Sequence, residues 1–526
     1  MAGGEVWKFK PYITRAKCFD IEAGPLIAVL NEEEAHENDV YTADRIILQK
    51  GAQELTVICD LSASLVKRGE VGVFSEVMKK LRVNPGDLIE IRHTRQPASI
   101  DFIKKKMDGK PLKSEEIDAI IRETMENKLS EIELSAFIAS LYIRGLSQDE
   151  TVALTNAIVG SGATLDLGKK PVVDKHCAGG VAGNRTTMVM VPILAAGGLF
   201  VPKTSSRSIT SAAGTADTME VLASVEFSVE EMKRIVLKTG GCIVWGGGIN
   251  LAPADDHLIR IRHPLRLDPR GVLLASILAK KKAVGAEYVV IDIPVGRGAK
   301  IEDVKTASSL ASDFLEIGTR LGMRLEAFLT DGTDPVGNGV GPGLECIDVL
   351  NVLQGSGPQD LMDKSCQLAG ALFELCGKVE KGGGYEVALN LLKSGKAYNK
   401  MREIIEAQGG NPNVRIEDIP VGKFRHEIVA EKEGRVEHVD NRMVNKIARA
   451  AGAPKDKGAG VILHTEHGDR VKAGDVLFEI VSESEAKLDF ALKALEEWPV
   501  VELQRVILGK VSEAEPVIRE LPQIPH

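Results

Sequence analysis

The sequence has no Cys-x-x-Cys pair. Its seven cysteines (Cys18, Cys59, Cys177, Cys242, Cys346, Cys366, Cys376) are scattered and odd in number. That spacing excludes the common thiolate zinc sites and a disulfide framework, so no metal is expected and the thiols read as reduced, in a cytoplasmic protein. There is no long basic run, and the formal net charge is −9. Binding a nucleic-acid backbone requires a basic face, so nucleic acid is excluded as the main partner, whereas a small anion needs only local positive charge. No apolar stretch is long enough to span a bilayer, and residues 1–11 lack a leader's apolar segment, which excludes a membrane partner. What is present is an ordinary globular composition, 44% apolar and 27% charged with 52 glycines, in a chain long enough for roughly two to four domains.

Short apolar runs alternate with turn signals from Val6 to about Arg95, such as Ile27-Ala28-Val29-Leu30 and Leu55-Thr56-Val57-Ile58. They predict a small barrel-like domain with one or two helices. A helical block follows from about Ile100 to Gly162. Ser130-Glu131-Ile132-Glu133 and Ser147-Gln148-Asp149-Glu150 fit the capping box, and Leu134, Ile138, Leu141 and Tyr142 recur at helical spacing as a core stripe. From Pro171, strands alternate with helices, which implies a parallel sheet with ligands at the carboxyl ends of its strands. Beyond Pro420, short strands return. They look like the barrel-sandwich hybrid of biotinyl and lipoyl carriers, but without the lysine at a hairpin tip that a carrier needs, so a structural or subunit-contact role is preferred.

Two loops carry the chemistry. The first lies in Asp174-Lys175-His176-Cys177-Ala178-Gly179-Gly180-Val181-Ala182-Gly183-Asn184-Arg185-Thr186-Thr187, and the second in Pro202-Lys203-Thr204-Ser205-Ser206-Arg207-Ser208-Ile209-Thr210-Ser211-Ala212-Ala213-Gly214-Thr215. Glycines let a backbone approach an anion, amides at a helix start can hold it, and hydroxyls with a cation complete a phosphate cradle. One such loop is usually an ordinary turn. Two, one strand–helix unit apart and both carrying Lys or Arg, favour an anion site. A third glycine loop with a cation, Val295-Gly296-Arg297-Gly298-Ala299-Lys300, follows the strand at Tyr288. Gly337-Asn338-Gly339-Val340-Gly341-Pro342-Gly343 superficially resembles a dinucleotide fingerprint, but Pro342 and the missing acidic partner make it a turn that passes close to the sheet. Cys177 is open to two readings, a catalytic thiol or a small residue packed beside a phosphate loop, the second being preferred. Asp268 reads as a turn residue before Pro269 unless its surroundings give it chemistry. Asp255 and Asp256 are alternative acids or a helix start. Lys280 is placed to reach a base, while Lys281 and Lys282 read as a solvated face.

These two stretches, with Leu251-Ala252-Pro253-Ala254-Asp255-Asp256, Leu267-Asp268-Pro269 and Leu274-Ala275-Ser276-Ile277-Leu278-Ala279-Lys280-Lys281, resemble the thymidine phosphorylase superfamily and, within it, the AMP phosphorylase branch. The resemblance covers nearly the whole chain. It implies an α/β protein with the two-lobed nucleoside phosphorylase type II fold, flanked by β-rich N-terminal and barrel-sandwich-hybrid α+β C-terminal domains. The expected domains are 1–95, the N-terminal domain; 96–170 with 250–285, a helical lobe; 171–249 with 286–420, an α/β phosphate-binding lobe; and 421–526. It also implies phosphorolysis of nucleoside 5′-monophosphates: AMP, and CMP and UMP, with inorganic phosphate as co-substrate and no cofactor, would give free base and ribose 1,5-bisphosphate. By match to the family's motifs, Gly180, Ser206, Arg207, Ser208, Ile209, Thr210, Ser211, Thr215, Ser276 and Lys300 would hold nucleotide and phosphate, and Asp268 would protonate the leaving base. Lys175 and Ser205 match phosphate positions of the nucleoside branch. Where Cys177 stands the family often has serine, a stronger donor. The resemblance further implies a homodimer or larger homo-oligomer, and the split helical lobe a cleft that closes over substrate.

Phosphate is already a nucleophile, so no activated serine or cysteine is needed; the site must hold it at C1′, stabilise oxocarbenium-like charge and protonate the base. Asp268 would need burial or a nearby negative charge, such as a substrate phosphate, to keep its proton. The first loop is expected to take the attacking phosphate and the second, with Arg207, the phosphate of the nucleotide. The competing readings are a thymidine or pyrimidine-nucleoside phosphorylase, an anthranilate-type phosphoribosyltransferase, and a non-catalytic binding or assembly protein.

Overall fold

The computed structural model describes residues 11–94, 97–495 and 500–504. The first ten residues, read above for a leader, and the end of the 421–526 domain lie outside the described residues. The chain divides into two compact units, Met1–Ala163 with Ala252–Ala279, and Thr164–Leu251 with Lys280–His526.

The first unit begins with β1 (Tyr12–Cys18), β2 (Ile27–Asn31), α1 (Glu32–Glu37), β3 (Arg45–Lys50), β4 (Gln53–Ser62), β5 (Glu70–Val73), α2 (Ser75–Leu81) and β6 (Leu88–His93). The strands close into a barrel in the order β1-β5-β2-β4-β3-β6. Alternate residues such as Ala28 and Leu30, Ile46 and Leu48, and Ile89 and Ile91 fill it, as the period-two pattern of a strand requires. Helices α3 (Ser99–Met107), α4 (Ser114–Met125), α5 (Glu131–Arg144) and α6 (Gln148–Gly160) follow. Both expected capping boxes form: Ser130 and Ser147 Oγ accept the amides of Glu133 and Glu150, whose carboxylates accept the serine amides at 2.7 and 2.8 Å. Leu134, Ile138 and Leu141 are buried as expected, but Tyr142 is 57% exposed. It lies at the edge of that helical face, and Phe137 fills the core in its place.

The second unit opens with β7 (Val173–Cys177), α7 (Thr186–Ala196), β8 (Val201–Ser205), α8 (Thr215–Met219), α9 (Val229–Thr239) and β9 (Gly241–Trp245). Helices α10 (Pro253–Arg262) and α11 (Arg270–Ala283) come next in the chain and pack with α3–α6, while the last turn of α11 belongs to the second unit. The second unit then continues with β10 (Tyr288–Val295), α12 (Val304–Arg320) and β11 (Arg324–Asp331). Strands β7, β10 and β11 pair in parallel, as do β8 and β9, and a single parallel bridge from Val172 to Phe200 joins the two groups. The resulting order is β9-β8-β7-β10-β11. The chain moves one way from β7 to β9 and the other way from β10 to β11, so the topological switch point lies between β7 and β10. In open parallel sheets, ligands bind outside the carboxyl ends of the strands at such a point.

The 337–343 glycine run supplies β12 (Gly339–Val340), followed by α13 (Pro342–Leu353), α14 (Gln359–Leu375), α15 (Gly384–Lys393) and α16 (Lys396–Ala407). The C-terminal part is β13 (Phe424–Val429), β14 (Gly434–Val439), α17 (Asn441–Ala450), β15 (Gly460–Leu463), β16 (Arg470–Val471), β17 (Val476–Ser482), α18 (Glu485–Leu495) and β18 (Val501–Leu503). It forms two small sheets, β12-β15-β17-β13 and β16-β14-β18. The glycine run is thus a seam through which one strand of the C-terminal sheet is borrowed from the preceding domain. Gly341 has φ 135°, and a Cβ there would lie 2.3 Å from the Ala459 carbonyl. No helix among the described residues is long and apolar enough to cross a membrane.

Gly341→Ala should therefore destabilise the second unit by roughly 2 kcal/mol or more, since backbone strain and a backbone clash combine. Gly355, at φ +87° with open space around its Cβ position, carries only the left-handed penalty of about 1–2 kcal/mol. Thermal unfolding of the two variants separates these cases; equal shifts would deny the seam its tightness.

Candidate active site

Strand β7 places Asp174 and Lys175 in the interior at the switch point, and each meets an opposite charge. Asp174 Oδ2 is 2.6 Å from Lys281 Nζ, and its Oδ1 is 3.5 Å from Lys203 Nζ. Lys175 Nζ is 3.1 Å from Asp292 Oδ2 on β10, and Lys364 Nζ of α14 is 3.5 Å from Asp292 Oδ1. The Thr330 hydroxyl donates to that same Oδ1 at 2.7 Å. Both carboxylates are wholly buried, and Lys281, Lys175 and Lys203 are 2%, 4% and 6% exposed. Lys281 corrects the reading of a solvated face: its stem runs inward from α11 and its ammonium ends on Asp174.

The cluster gathers four ammoniums around two carboxylates. Burial opposes the charge on Asp292, yet Lys175 and Lys364, with Thr330, hold its pKa at about 2. Burial, aided by Lys281 and Lys175 and resisted by Asp174, pulls Lys203 down to about 7. Burial and the same lysines hold His176 well below the ordinary histidine value, so it is neutral at pH 7. Beside this surplus of positive charge, Thr204 Oγ1 and Ser205 Oγ are buried with no hydrogen-bond partner among the described residues. Buried hydroxyls are normally paired. Four ammoniums thus stand against two carboxylates, which leaves net positive charge buried in the sheet interior near the end of β8.

Cys177 settles into the second of its two readings. Its thiol donates to the Gly179 carbonyl at 3.3 Å, and burial and then Asp292 raise its pKa to about 11, so it is no thiolate nucleophile at neutral pH.

The second loop is shaped from beneath by Asp217, whose Oδ2 accepts the amides of Ser208 and Gly214 at 2.7 and 2.9 Å. Ser206, Ile209 and Thr210 face outward, Ser208 and Ser211 are half-buried, and Thr215 opens α8. Arg207 is already engaged. Its guanidinium meets Glu220 at 2.6 and 2.8 Å and Glu226 at 3.1 Å, and it lies 4.9 Å over the Trp245 ring. Arg185, which the motif contains but the sequence reading left without a role, ties the loops together: it pairs with Glu345 and donates to the Asn184 carbonyl at 2.9 Å and the Ala213 carbonyl at 2.6 Å.

The structure therefore brings Lys175 and the 206–215 loop into one assembly. Gly180 is exposed in the first loop with open space about it, and Lys300 is exposed in the loop after β10. Asp268 and Ser276 belong to the other compact unit. There Asp268 pairs with Arg262, and Ser276 is buried on α11. The sequence reading missed Asp174, Asp292, Lys203, Lys281 and Lys364 as a group. The first four stand in or beside the motifs, whereas Lys364 has no local signal at all.

Comparison with known proteins bears on the family. The profile of the glycosyl transferase family helical bundle domain matches residues 100–162, that of the family's a/b domain residues 169–398, and that of the pyrimidine nucleoside phosphorylase C-terminal domain residues 435–500. The AMP phosphorylase of Pyrococcus furiosus is 46% identical over 95% of this chain and 99% of its own length. The chain belongs to the AMP phosphorylase family. The AMP phosphorylases of Thermococcus kodakarensis and Methanosarcina barkeri are 45% and 46% identical, over 95% and 94% of this chain and 99% and 97% of their own lengths. Among solved structures, the anthranilate phosphoribosyltransferase of Thermus thermophilus superposes with a TM-score of 0.51 at 23% identity, covering 59% of this chain and 99% of its own. It shares the fold of the helical and α/β parts.

Lys203 gives this AMP phosphorylase family member a testable pH signature. With its pKa near 7, Lys203 is charged below that pH and neutral above it, so anion binding to the free protein weakens as pH rises. Sulfate keeps its charge throughout, and its Kd should increase by up to about tenfold per pH unit above neutrality. Lys203→Met should flatten the profile. A pH-independent sulfate Kd in the unsubstituted protein would refute the assignment.

Proposed function

We propose that this chain is a pentosyltransferase that phosphorolyses nucleoside 5′-monophosphates, AMP foremost and CMP and UMP as well, to free base and ribose 1,5-bisphosphate. The observation that carries the reading is the buried lysine cluster with its orphan Thr204 and Ser205 hydroxyls at the switch point, in a chain 46% identical to an AMP phosphorylase. Inorganic phosphate occupies this cluster. An oxygen of the phosphate forms a bond to C1′ as the C1′–N bond of the nucleotide breaks, and the electron pair leaves with the base. Asp268 supplies the proton to a ring nitrogen of that base. The loop with Ser206, Ser208, Thr210, Ser211 and Thr215 takes the 5′-phosphate through hydroxyls and amides, with Gly180, Ile209, Ser276 and Lys300 lining the nucleotide. Arg207 serves this phosphate by shaping the loop, since Glu220 and Glu226 already hold its guanidinium.

The reaction as proposed requires no cofactor beyond phosphate. The assembly we expect is a homodimer or larger, and the C-terminal sheets correspond to a barrel-sandwich hybrid.

Phosphate-dependent base release should be seen with AMP, persist in the presence of a chelator, and exceed that with thymidine. Thymidine preference would move the chain to the nucleoside branch, and loss with chelator would favour a phosphoribosyltransferase. Asp268→Asn should lower kcat by roughly 10²–10⁴, the usual worth of a positioned acid, with KM little changed. Arg207→Ala should raise KM for AMP more than for adenosine; equal effects would detach the second loop from the 5′-phosphate.

A further inference from the structure

Helix α17 lies far in sequence from both phosphate loops, yet one face of it is spent on them. Asn441 Oδ1 accepts the Ala182 amide of the first loop at 3.0 Å, from 259 residues away. Asn445 Oδ1 accepts the Ala212 amide of the second loop at 2.8 Å, from 233 residues away. Arg449 Nη1 donates to the Ser211 carbonyl at 3.0 Å. Positions four apart on a helix stack along one face, so these three side chains form a row against the two loops. The alanine methyls complete the docking: Ala182 and Ala212, 2% and 0% exposed, sit in the same apolar cluster as Val444 and Ile447 of α17.

Asn441 is itself 1% exposed and spends its other end in the same region. Its Nδ2 donates to the Gly332 and Thr333 carbonyls, both at 3.0 Å, in the loop after β11. The loop after β10 passes close by as well, with a Cβ at Gly298 lying 3.7 Å from that of Asn441. Asn445 Nδ2 donates to the Asn441 carbonyl at 2.9 Å, and the helix start is fixed by Asp440, which accepts the amides of Arg442 and Met443. Loops after β7, β8, β10 and β11 therefore all touch one helix of the C-terminal domain.

We propose that α17 is a positioning element for the reaction, with Asn441 setting the first loop for inorganic phosphate and Asn445, helped by Arg449, setting the second for the 5′-phosphate. The assignment of phosphates to loops rests on the function proposed above. Neither asparagine is a catalytic residue; each acts through the backbone of the loop it holds.

The test is steady-state kinetics with AMP and phosphate, paired with amide hydrogen exchange and thermal unfolding. Losing one hydrogen bond from a loop that must keep its shape should cost about five- to tenfold in the KM it governs. Asn445→Ala should raise KM for AMP by that factor, leave KM for phosphate unchanged and speed exchange across residues 206–214. Asn441→Ala should instead raise KM for phosphate and speed exchange across residues 178–184. Arg449 is exposed, so Arg449→Ala cannot unfold a core, and it should shift KM for AMP in the same direction even where an asparagine variant fails to fold. Unchanged KM values and unchanged exchange in Asn445→Ala and Arg449→Ala would overturn the proposal. So would kcat and both KM values changing in parallel with the melting temperature. Absence of base release from AMP by the unsubstituted protein would sink the function instead, and the exchange measurements would still decide whether α17 holds the loops.

Discussion

Asp174 is the group on which the site depends. It is cut off from water, and its two oxygens face Lys203 and Lys281. Without it, two ammoniums would lie buried against each other with no counter-charge, and burying a lone charge costs several kcal/mol even after relaxation. Asp292 does the same for Lys175 and Lys364. The two carboxylates are enough to let the lysines be built in and too few to satisfy them. Lys203, drawn down to about 7, carries the deficit. On the proposed reading an arriving phosphate completes the balance, and anion affinity then follows from how the sheet interior is charged rather than from any one loop.

The loops above that cluster gain their shape from distant chain. Asp217 holds the second loop from below, Arg185 fastens it to the first, and α17 holds both from the side. Glycine-rich loops have little conformational preference of their own. A loop of that kind binds an oxyanion well only when its amides are fixed beforehand, because ordering it on binding would consume the affinity. The borrowed strand at Gly339–Val340 serves the same end, since it pairs with β15 and seats the domain that carries α17.

Much of the fold was legible because its signals are local. Capping boxes at Ser130 and Ser147 name helix starts within four residues, and the short apolar runs from Val173 to Trp245 name parallel strands. The two glycine- and hydroxyl-rich loops after β7 and β8 were legible for the same reason. The charge network was not. Lys281 stands in a run of three lysines, which by composition reads as solvated surface, and only the rotation of α11 turns the middle one inward. Lys364 sits on an otherwise unremarked helix, and Asn441 is paired across 259 residues. Pairings at such separations leave no periodicity or spacing for a sequence reading to find. Arg207 was legible as a cation but not as a cation already matched by carboxylates.

That last difference separates the two phosphates on the proposed reading. Arg207 presses Glu220 down to about 2, with Lys457 adding to it, so the charge around the second loop is already balanced. The second loop turns the Ser206 and Thr210 side chains outward, and hydroxyls suit a phosphate monoester that must be held and nothing more. The β7 cluster presents surplus ammonium instead. Inorganic phosphate titrates near neutrality, and neighbouring cations favour its more charged form. That form is the better nucleophile toward C1′. One site thus recognises a phosphate by shape, while the other fixes the protonation state of the phosphate that reacts, and the difference follows from where the protein sets more lysines than carboxylates.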